Sequence, residues 1–269
     1  MSVIVNIGSG NMAYALMKGV SSSTNTKIFF TDIESEKAEF AAKSLNGQVL
    51  NSNSEGVKKG DYIFLAVKPQ VLPQVLEEIA GAARERLSSG SPVFVSMAAG
   101  WSIKKIQTAI GGNIPVVRIM PNTPALIGKG MIALAGSPEV PAEKIAELES
   151  LLSGAGIVSR LDESYMDAIT GLSGSGPAFV FMFIEALADG GVLAGLPRDK
   201  ALVFAAQTVL GAAAMVQETG KHPAELKDMV TSPGGTTIAG INSLEEGAFR
   251  STVIKAVQAA WKRSLELSD

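Results

Sequence analysis

Gly8, Gly10 and Ala13 stand at the spacing Gly-x-Gly-x-x-Ala, directly after the apolar run Val3–Ile7 and at the opening of a helical stretch, Asn11–Val20. The chemistry open to that spacing is the holding of a pyrophosphate. A first glycine permits a tight strand-to-helix turn, a second lets a phosphate approach the backbone, and a small third residue lets helix and strand lie close. The helix N-terminus then supplies N–H donors and the positive end of its dipole. In this position the spacing predicts a dinucleotide site at Gly8, Ser9, Gly10, Asn11 and Met12. The next apolar run, Lys27–Thr31, ends in Asp32. An acidic residue there suits the ribose hydroxyls of NAD and would repel a 2′-phosphate. NADH is therefore favoured and NADPH is left open, the nearest following cation being Lys37. The same Asp32 could instead cap the next helix, as Ser35 could.

Other segments sit where chemistry is done. Ala66-Val67-Lys68-Pro69 closes the strand-like run Tyr62–Val67, and Met97-Ala98-Ala99-Gly100 closes another. Ligands of open α/β sheets bind at such carboxyl ends, and the small Ala98 and Ala99 leave room for a flat ring. Ser232-Pro233-Gly234-Gly235-Thr236-Thr237 breaks one helix and starts another. Its glycines and helix start could aim several N–H groups at a carboxylate. Taken by itself it reads rather as an inter-helix turn capped by Thr236. Leu172-Ser173-Gly174-Ser175-Gly176-Pro177 also ends and restarts a helix. His222, the lone histidine, precedes Pro223 at a helix start and is read as a polar cap rather than a catalyst.

The elements that must position these residues change character along the chain. Val3–Ile7, Lys27–Thr31, Tyr62–Val67, Pro92–Met97, Val116–Met120 and Met131–Ala135 read as short buried strands. Helical stretches alternate with them at Asn11–Val20, Glu34–Leu45, Gln70–Leu87, Ser102–Ala109 and Ala142–Leu152. The alternation predicts an α/β domain with a doubly wound, mostly parallel sheet of Rossmann type. Beyond residue 160 helices alone are expected: Asp162–Leu172, Pro177–Leu193, Pro197–Thr219, Pro223–Val230, Thr237–Glu246 and Ser251–Glu266. Pro177, Pro197 and Pro223 sit at helix starts, where a missing N–H matters least. Two domains are expected, residues 1–160 for the dinucleotide and residues 161–269, all-α, for dimerisation and substrate. Pro177–Leu193 is apolar nearly all round, so it needs cover on every side; a subunit interface is the favoured cover and a central core helix the alternative.

Composition narrows the function classes. The chain has 269 residues, 46% of them apolar, and a net charge of -3. No basic stripe is visible, so neither nucleic acid nor an anionic membrane is an expected partner. There is no cysteine, which excludes disulfides, thiolate metal sites and cysteine nucleophiles; no metal is called for. The N-terminal residues enter a strand without a basic region and do not read as a signal peptide. Glu185 and Asp189 within the most apolar stretch argue for a buried helix rather than a membrane span. A cytoplasmic protein is the expectation.

Taken in order, Gly8–Ala13, Ala66–Pro69, Arg118-Ile119-Met120-Pro121-Asn122-Thr123-Pro124, Leu172–Pro177 and Ser232–Thr237 resemble pyrroline-5-carboxylate reductase over essentially the whole chain. The resemblance implies reduction of 1-pyrroline-5-carboxylate to L-proline by NAD(P)H, the last step of proline biosynthesis. It implies a Rossmann domain, an all-helical dimerisation domain, and a decamer in many members. Gly234, Gly235, Thr236 and Thr237 would then hold the substrate, with Ser175 and Glu163 as weaker candidates and Thr237 as the catalytic hydrogen-bonding group. Asn53, Ala66, Val67, Lys68, Pro69, Ala98 and Ala99 would line the cofactor; Asn53 otherwise reads as a helix cap. Asp32 and Ile33 stand where the family often has a Ser or Arg suited to a 2′-phosphate, and Gly220 stands where some members carry a Glu near the substrate. Two other readings are a β-hydroxyacid dehydrogenase and a non-catalytic dinucleotide sensor. The first needs a lysine about one turn after a segment like Ser173–Gly176, and Phe179–Ile184 are all apolar. The intact Gly234–Thr237 turn speaks against the second.

Overall fold

The computed structural model describes residues 2–23, 26–87, 90 and 92–268. They form two compact units, Met1–Ser175 together with Ala260–Asp269, and Gly176–Ala259.

The first unit carries strands β1 (Val3–Ile7), β2 (Lys27–Thr31), β3 (Gln48–Val49), β4 (Tyr62–Leu65), β5 (Val93–Ser96), β6 (Val116–Met120), β7 (Gly130–Gly136) and β8 (Gly156–Arg160). Its helices are α1 (Asn11–Ser23), α2 (Ser35–Ser44), α3 (Asn53–Lys59), α4 (Leu72–Arg86), α5 (Ile103–Ile110), α6 (Ala142–Leu152) and α7 (Met166–Ile169). Among the described residues the sheet has eight strands in the order β3-β2-β1-β4-β5-β6-β7-β8. Every pairing is parallel except β6 with β7. The order steps outward to β3 and then resumes from β1 to β4. That reversal leaves a crevice at the carboxyl ends of β1 and β4, where Rossmann sheets bind ligands.

The central strands are apolar on both faces because both faces are covered. On one face Ile4, Phe30, Phe64, Val95 and Ile119 meet Leu16 of α1 and Leu148 of α6. On the other, Val5, Ile7, Ile63, Leu65 and Phe94 meet Leu76 of α4 and Ile106 of α5. Each such side chain contributes about 1.5–3 kcal/mol on burial, which makes this sheet the rigid frame of the unit. The chain turns back between β6 and β7 through a 3-10 turn, Thr123–Ile127. Asn122 pins that reversal: its Oδ1 accepts the Met131 N–H at 2.9 Å and its Nδ2 donates to the Ser173 carbonyl at 3.1 Å.

Three local expectations differ from what is observed. The sequence pattern does not predict β3 or β8; β3 has two residues, and β8 is an edge strand with mostly exposed side chains. Asp162–Leu172 is not one helix but a 3-10 turn (Glu163–Tyr165), α7 and a π-helical stretch (Thr170–Gly174). The sequence changes to a helical pattern near residue 160, yet the compact unit runs on to Ser175. The reason is Met166, fully buried against Met120, Ala133 and Ala135 of the sheet.

The second unit holds α8 (Gly176–Leu193), α9 (Arg198–Thr219), α10 (Pro223–Met229), α11 (Thr236–Glu246) and the first part of α12 (Phe249–Ser268). Its own buried core is small, Ala188, Ala201 and Ala205 with Ile184 and Val192 against them. Phe181, Met182, Val203 and Phe204 are more than half exposed in the isolated chain. Residues 163–193 and Arg198–Thr219 are also long and apolar enough, by length and composition, to cross a membrane.

Candidate active site

The glycine turn is wedged between strand ends. Gly8 has φ 91°, the left-handed region, and a Cβ on it would lie 2.7 Å from the Ala66 carbonyl oxygen. Its N–H donates to the Thr31 carbonyl at 2.9 Å, and its carbonyl accepts from the buried Asn6 Nδ2 at 2.7 Å. The turn is thus tied to the ends of β1, β2 and β4 at once. Ala13 is fully buried, as close helix–strand packing demands. The space beside Gly10 is open: a Cβ there would meet no atom within 4 Å. The N–H groups at the start of α1 have no carbonyl of a preceding turn to bond.

Asp32 does two things in this arrangement. Its Oδ2 accepts the Ser9 N–H at 2.6 Å and its Oδ1 accepts the Glu34 N–H at 2.9 Å. Asn53 is the first residue of α3 rather than its cap; Ser52 caps that helix. The Asn53 side chain instead accepts from Thr31 Oγ1 at 2.6 Å and donates to Glu78 at 2.8 Å, which places it beside the end of β2. Beyond them a cleft of about 560 Å³ is lined by Ser9, Gly10, Asn11, Tyr14, Glu36, Lys37 and Phe40. Lys37 is paired with Glu34 at 2.5 Å. Lys68 follows β4, and its carbonyl accepts the Val71 N–H at 2.9 Å ahead of α4.

The loop after β5 is short, and its middle, Ala98-Ala99-Gly100, carries only small side chains between Met97 and Trp101, which pack against the core. Ala98 is buried, Gly100 has φ 78°, and Ser102 caps α5 by accepting the Lys105 N–H at 3.1 Å. Glu163, expected near substrate, has its Oε1 on the Ile103 N–H at 2.8 Å and 3.4 Å from Arg118 Nη1. Ser175 closes the π-helical stretch, its N–H on the Thr170 carbonyl at 2.9 Å.

In the second unit Gly234 is left-handed, with φ 66°, and the Gly235 N–H donates to the Ser232 carbonyl at 3.1 Å. Gly235 is the N-cap of α11 and no side chain caps it. Thr236 is therefore not the cap, and the opening N–H groups of α11 lie beside a half-buried Thr237. His222 does cap α10, its Nδ1 accepting the Ala224 N–H at 3.2 Å.

Comparison with known proteins fixes the kinship. Residues 163–267 match the family described as pyrroline-5-carboxylate reductase dimerisation, and residues 3–100 match NADP oxidoreductase coenzyme F420-dependent. A pyrroline-5-carboxylate reductase of Synechocystis is 44% identical over 264 residues, 97% of this chain and 96% of that one. The chain belongs to the pyrroline-5-carboxylate reductase family. A pyrroline-5-carboxylate reductase structure from Coxiella burnetii superposes with TM-score 0.91 at 35% identity, over 100% of this chain and 99% of that one. Another from Plasmodium falciparum, described with NADP bound, gives 0.87 at 30% identity, over 100% and 98%.

The dinucleotide expected in a pyrroline-5-carboxylate reductase fits the residues present. The open space beside Gly10, over the start of α1, is the kind of cradle that a Cβ would fill and a pyrophosphate needs. Three buried polar residues that brace the candidate site do not stand out individually in the sequence. Asn6 holds Gly8, Asn122 holds the β6–β7 reversal, and Arg118 is 3% exposed behind Glu163. The signal was present in each case: a polar residue inside an otherwise apolar strand run, or directly after one, needs a buried partner.

Proposed function

We propose that this chain reduces 1-pyrroline-5-carboxylate to L-proline with NAD(P)H, the last step of proline biosynthesis. The observation that carries the reading is 44% identity to a pyrroline-5-carboxylate reductase over 97% of the chain, with the glycine turn and the Gly234–Thr237 turn both intact. NAD(P)H supplies a hydride from its nicotinamide when bound. Gly8, Ser9, Gly10, Asn11 and Met12 hold the pyrophosphate on the start of α1. Asp32, with Asn53 beside it, takes the adenosine ribose, and Ala66–Pro69 and Ala98–Ala99 border the rest of the dinucleotide.

The Gly234–Thr237 turn receives the substrate carboxylate on the opening N–H groups of α11. The imine carbon gains the hydride, the C=N electron pair moves to nitrogen, and a proton on that nitrogen completes the amine. When the iminium binds already protonated, no strong acid is needed, and Thr237 serves by orienting the ring nitrogen. NADH is the better cofactor, because Asp32 closes β2 where a 2′-phosphate would lie and the nearest ammonium, on Lys37, is held by Glu34. The exposed apolar faces of α8 and α9 are a self-association surface, giving a dimer that can build to a decamer. Glu185 and Asp189 on α8 and the dimerisation match over residues 163–267 favour that over a membrane span.

The test is oxidation of NADH and of NADPH by the purified chain with pyrroline-5-carboxylate, against a 3-oxoacid control. Turnover with the imine alone supports the reading; turnover with the 3-oxoacid alone, or with neither, overturns it.

A further inference from the structure

We propose that the last turn of α12, backed by Asp167 and Arg118, is a positioning device for the loop between β5 and α5. The inference rests on the reading that Ala98 and Ala99 border the nicotinamide. Gly100, in its left-handed conformation, closes on the Leu267 backbone; a Cβ there would overlap the Leu267 carbonyl. Lys105 Nζ donates to the Ser268 carbonyl. The hydroxyls of Ser264 and Ser268 both donate to Asp167 Oδ1, at 2.6 and 3.0 Å. On the same segment as Asp167, Glu163 accepts the Ile103 N–H at 2.8 Å. The loop is therefore held at its middle by the end of α12 and at its exit by Glu163.

Arg118 ties these holds together. It is almost fully buried, 3.4 Å from Glu163 and 4.0 Å from Asp167, and its Nε and Nη2 have no hydrogen-bond partner among the described residues. A buried guanidinium needs acceptors beside it, and Glu163 and Asp167 are the carboxylates it has. It fixes both acceptors, one for Ile103 and one for the serines of α12. The loop's own anchors lie at its flanks, where Met97 and Trp101 pack against the core, and its middle is left to outside contacts. Ala98, Ala99 and Gly100 offer no large side chain, and glycine adds backbone freedom. Its position is set from behind by these tethers. A misplacement of about 1 Å at a reacting centre lowers turnover about a hundredfold, so tethers of this kind bear on rate and not only on stability.

The test compares the full chain with Ser264→Ala/Ser268→Ala and with a chain ending at Glu266. The first readout is amide hydrogen exchange without cofactor. The expected result is exchange faster by about tenfold or more at residues 99–103, with β1 and β4 unchanged. The second is binding: affinity for ADP-ribose, which lacks the nicotinamide, stays within about twofold, while kcat for imine reduction falls about tenfold or more and Ser268→Thr retains it. Exchange and kcat both within about twofold of the full chain in either folded variant would overturn the proposal. So would equally faster exchange across β1, β4 and β5, which would mean general loosening. If the unaltered chain does not reduce the imine at all, the reductase reading fails, while exchange at residues 99–103 still decides whether the α12 end holds the loop.

Discussion

Asp32 and Ser9 are joined across neighbouring strand ends: the Asp32 carboxylate accepts the Ser9 N–H at 2.6 Å, so the residue that closes β2 also fixes the glycine turn after β1. Choice of dinucleotide and firmness of the turn are thereby coupled. Changing Asp32→Ser should raise kcat/KM for NADPH relative to NADH by about tenfold, equivalent to about 1.4 kcal/mol. It should also weaken both cofactors slightly, because a serine hydroxyl replaces a charged acceptor. Side-by-side kinetics with both cofactors checks this, and an unchanged ratio would show that Asp32 serves the turn alone.

Gly8 and Gly10 should fail in different ways. Gly8→Ala forces a side chain into φ 91° and against the Ala66 carbonyl. The left-handed conformation alone costs about 1–2 kcal/mol, worth about 2–4 °C in Tm per kcal/mol for a chain of this size. Gly10→Ala meets no atom of the described residues within 4 Å, so its Tm should be unchanged while dinucleotide affinity falls about tenfold or more. Thermal melts beside NADH titrations separate the two. Normal binding by Gly10→Ala would put the pyrophosphate elsewhere.

Thr237→Ala should lower kcat/KM for pyrroline-5-carboxylate by about tenfold, the worth of one hydrogen bond of about 1–1.5 kcal/mol. Dinucleotide affinity should not move. Unaltered turnover would take Thr237 out of the site.

Acid sensitivity should trace to the far end of the sheet. Burial pushes the Glu147 carboxyl upward, but hydrogen bonds from Ser2, Lys144 and Tyr62 outweigh it and hold the group at about 2 against an ordinary 4.5. A carboxyl depressed on folding stabilises the folded state at pH values above 4.5 and loses that contribution as pH falls from 4.5 toward 2. The Tm difference between the unaltered chain and Glu147→Gln should therefore be full at neutral pH and shrink across that window. Parallel Tm curves down to the acid end would contradict it.

Much of this fold was legible because its central strands are covered on both faces and read as unbroken apolar runs. The edges were not. β3 pairs through two residues, and β8 is a half-exposed edge strand of Gly156-Ile157-Val158-Ser159-Arg160, so neither shows the alternation that marks a strand. The π-helical stretch Thr170–Gly174 was hidden for another reason. Its spacing differs from the 3.6-residue period, and its backbone is fixed by a distant side chain, Asn122 on the Ser173 carbonyl. Within the candidate site, the glycine turn announced itself by local spacing. The partners of Glu163 did not, since Arg118 and Ile103 lie far away in sequence and meet it only once the sheet has formed.

The first unit is completed by a piece of chain made long after the rest of it, for Ser264 meets Asp167 across 97 residues of sequence. During synthesis the sheet and its helices emerge first and must wait for the whole helical unit before residues 260–268 arrive. Completion of the unit in its final form thus depends on a non-local contact. Until then the loop after β5 lacks its hold. A nascent chain could carry a formed glycine turn, able to hold pyrophosphate, well before the loop beyond β5 has settled.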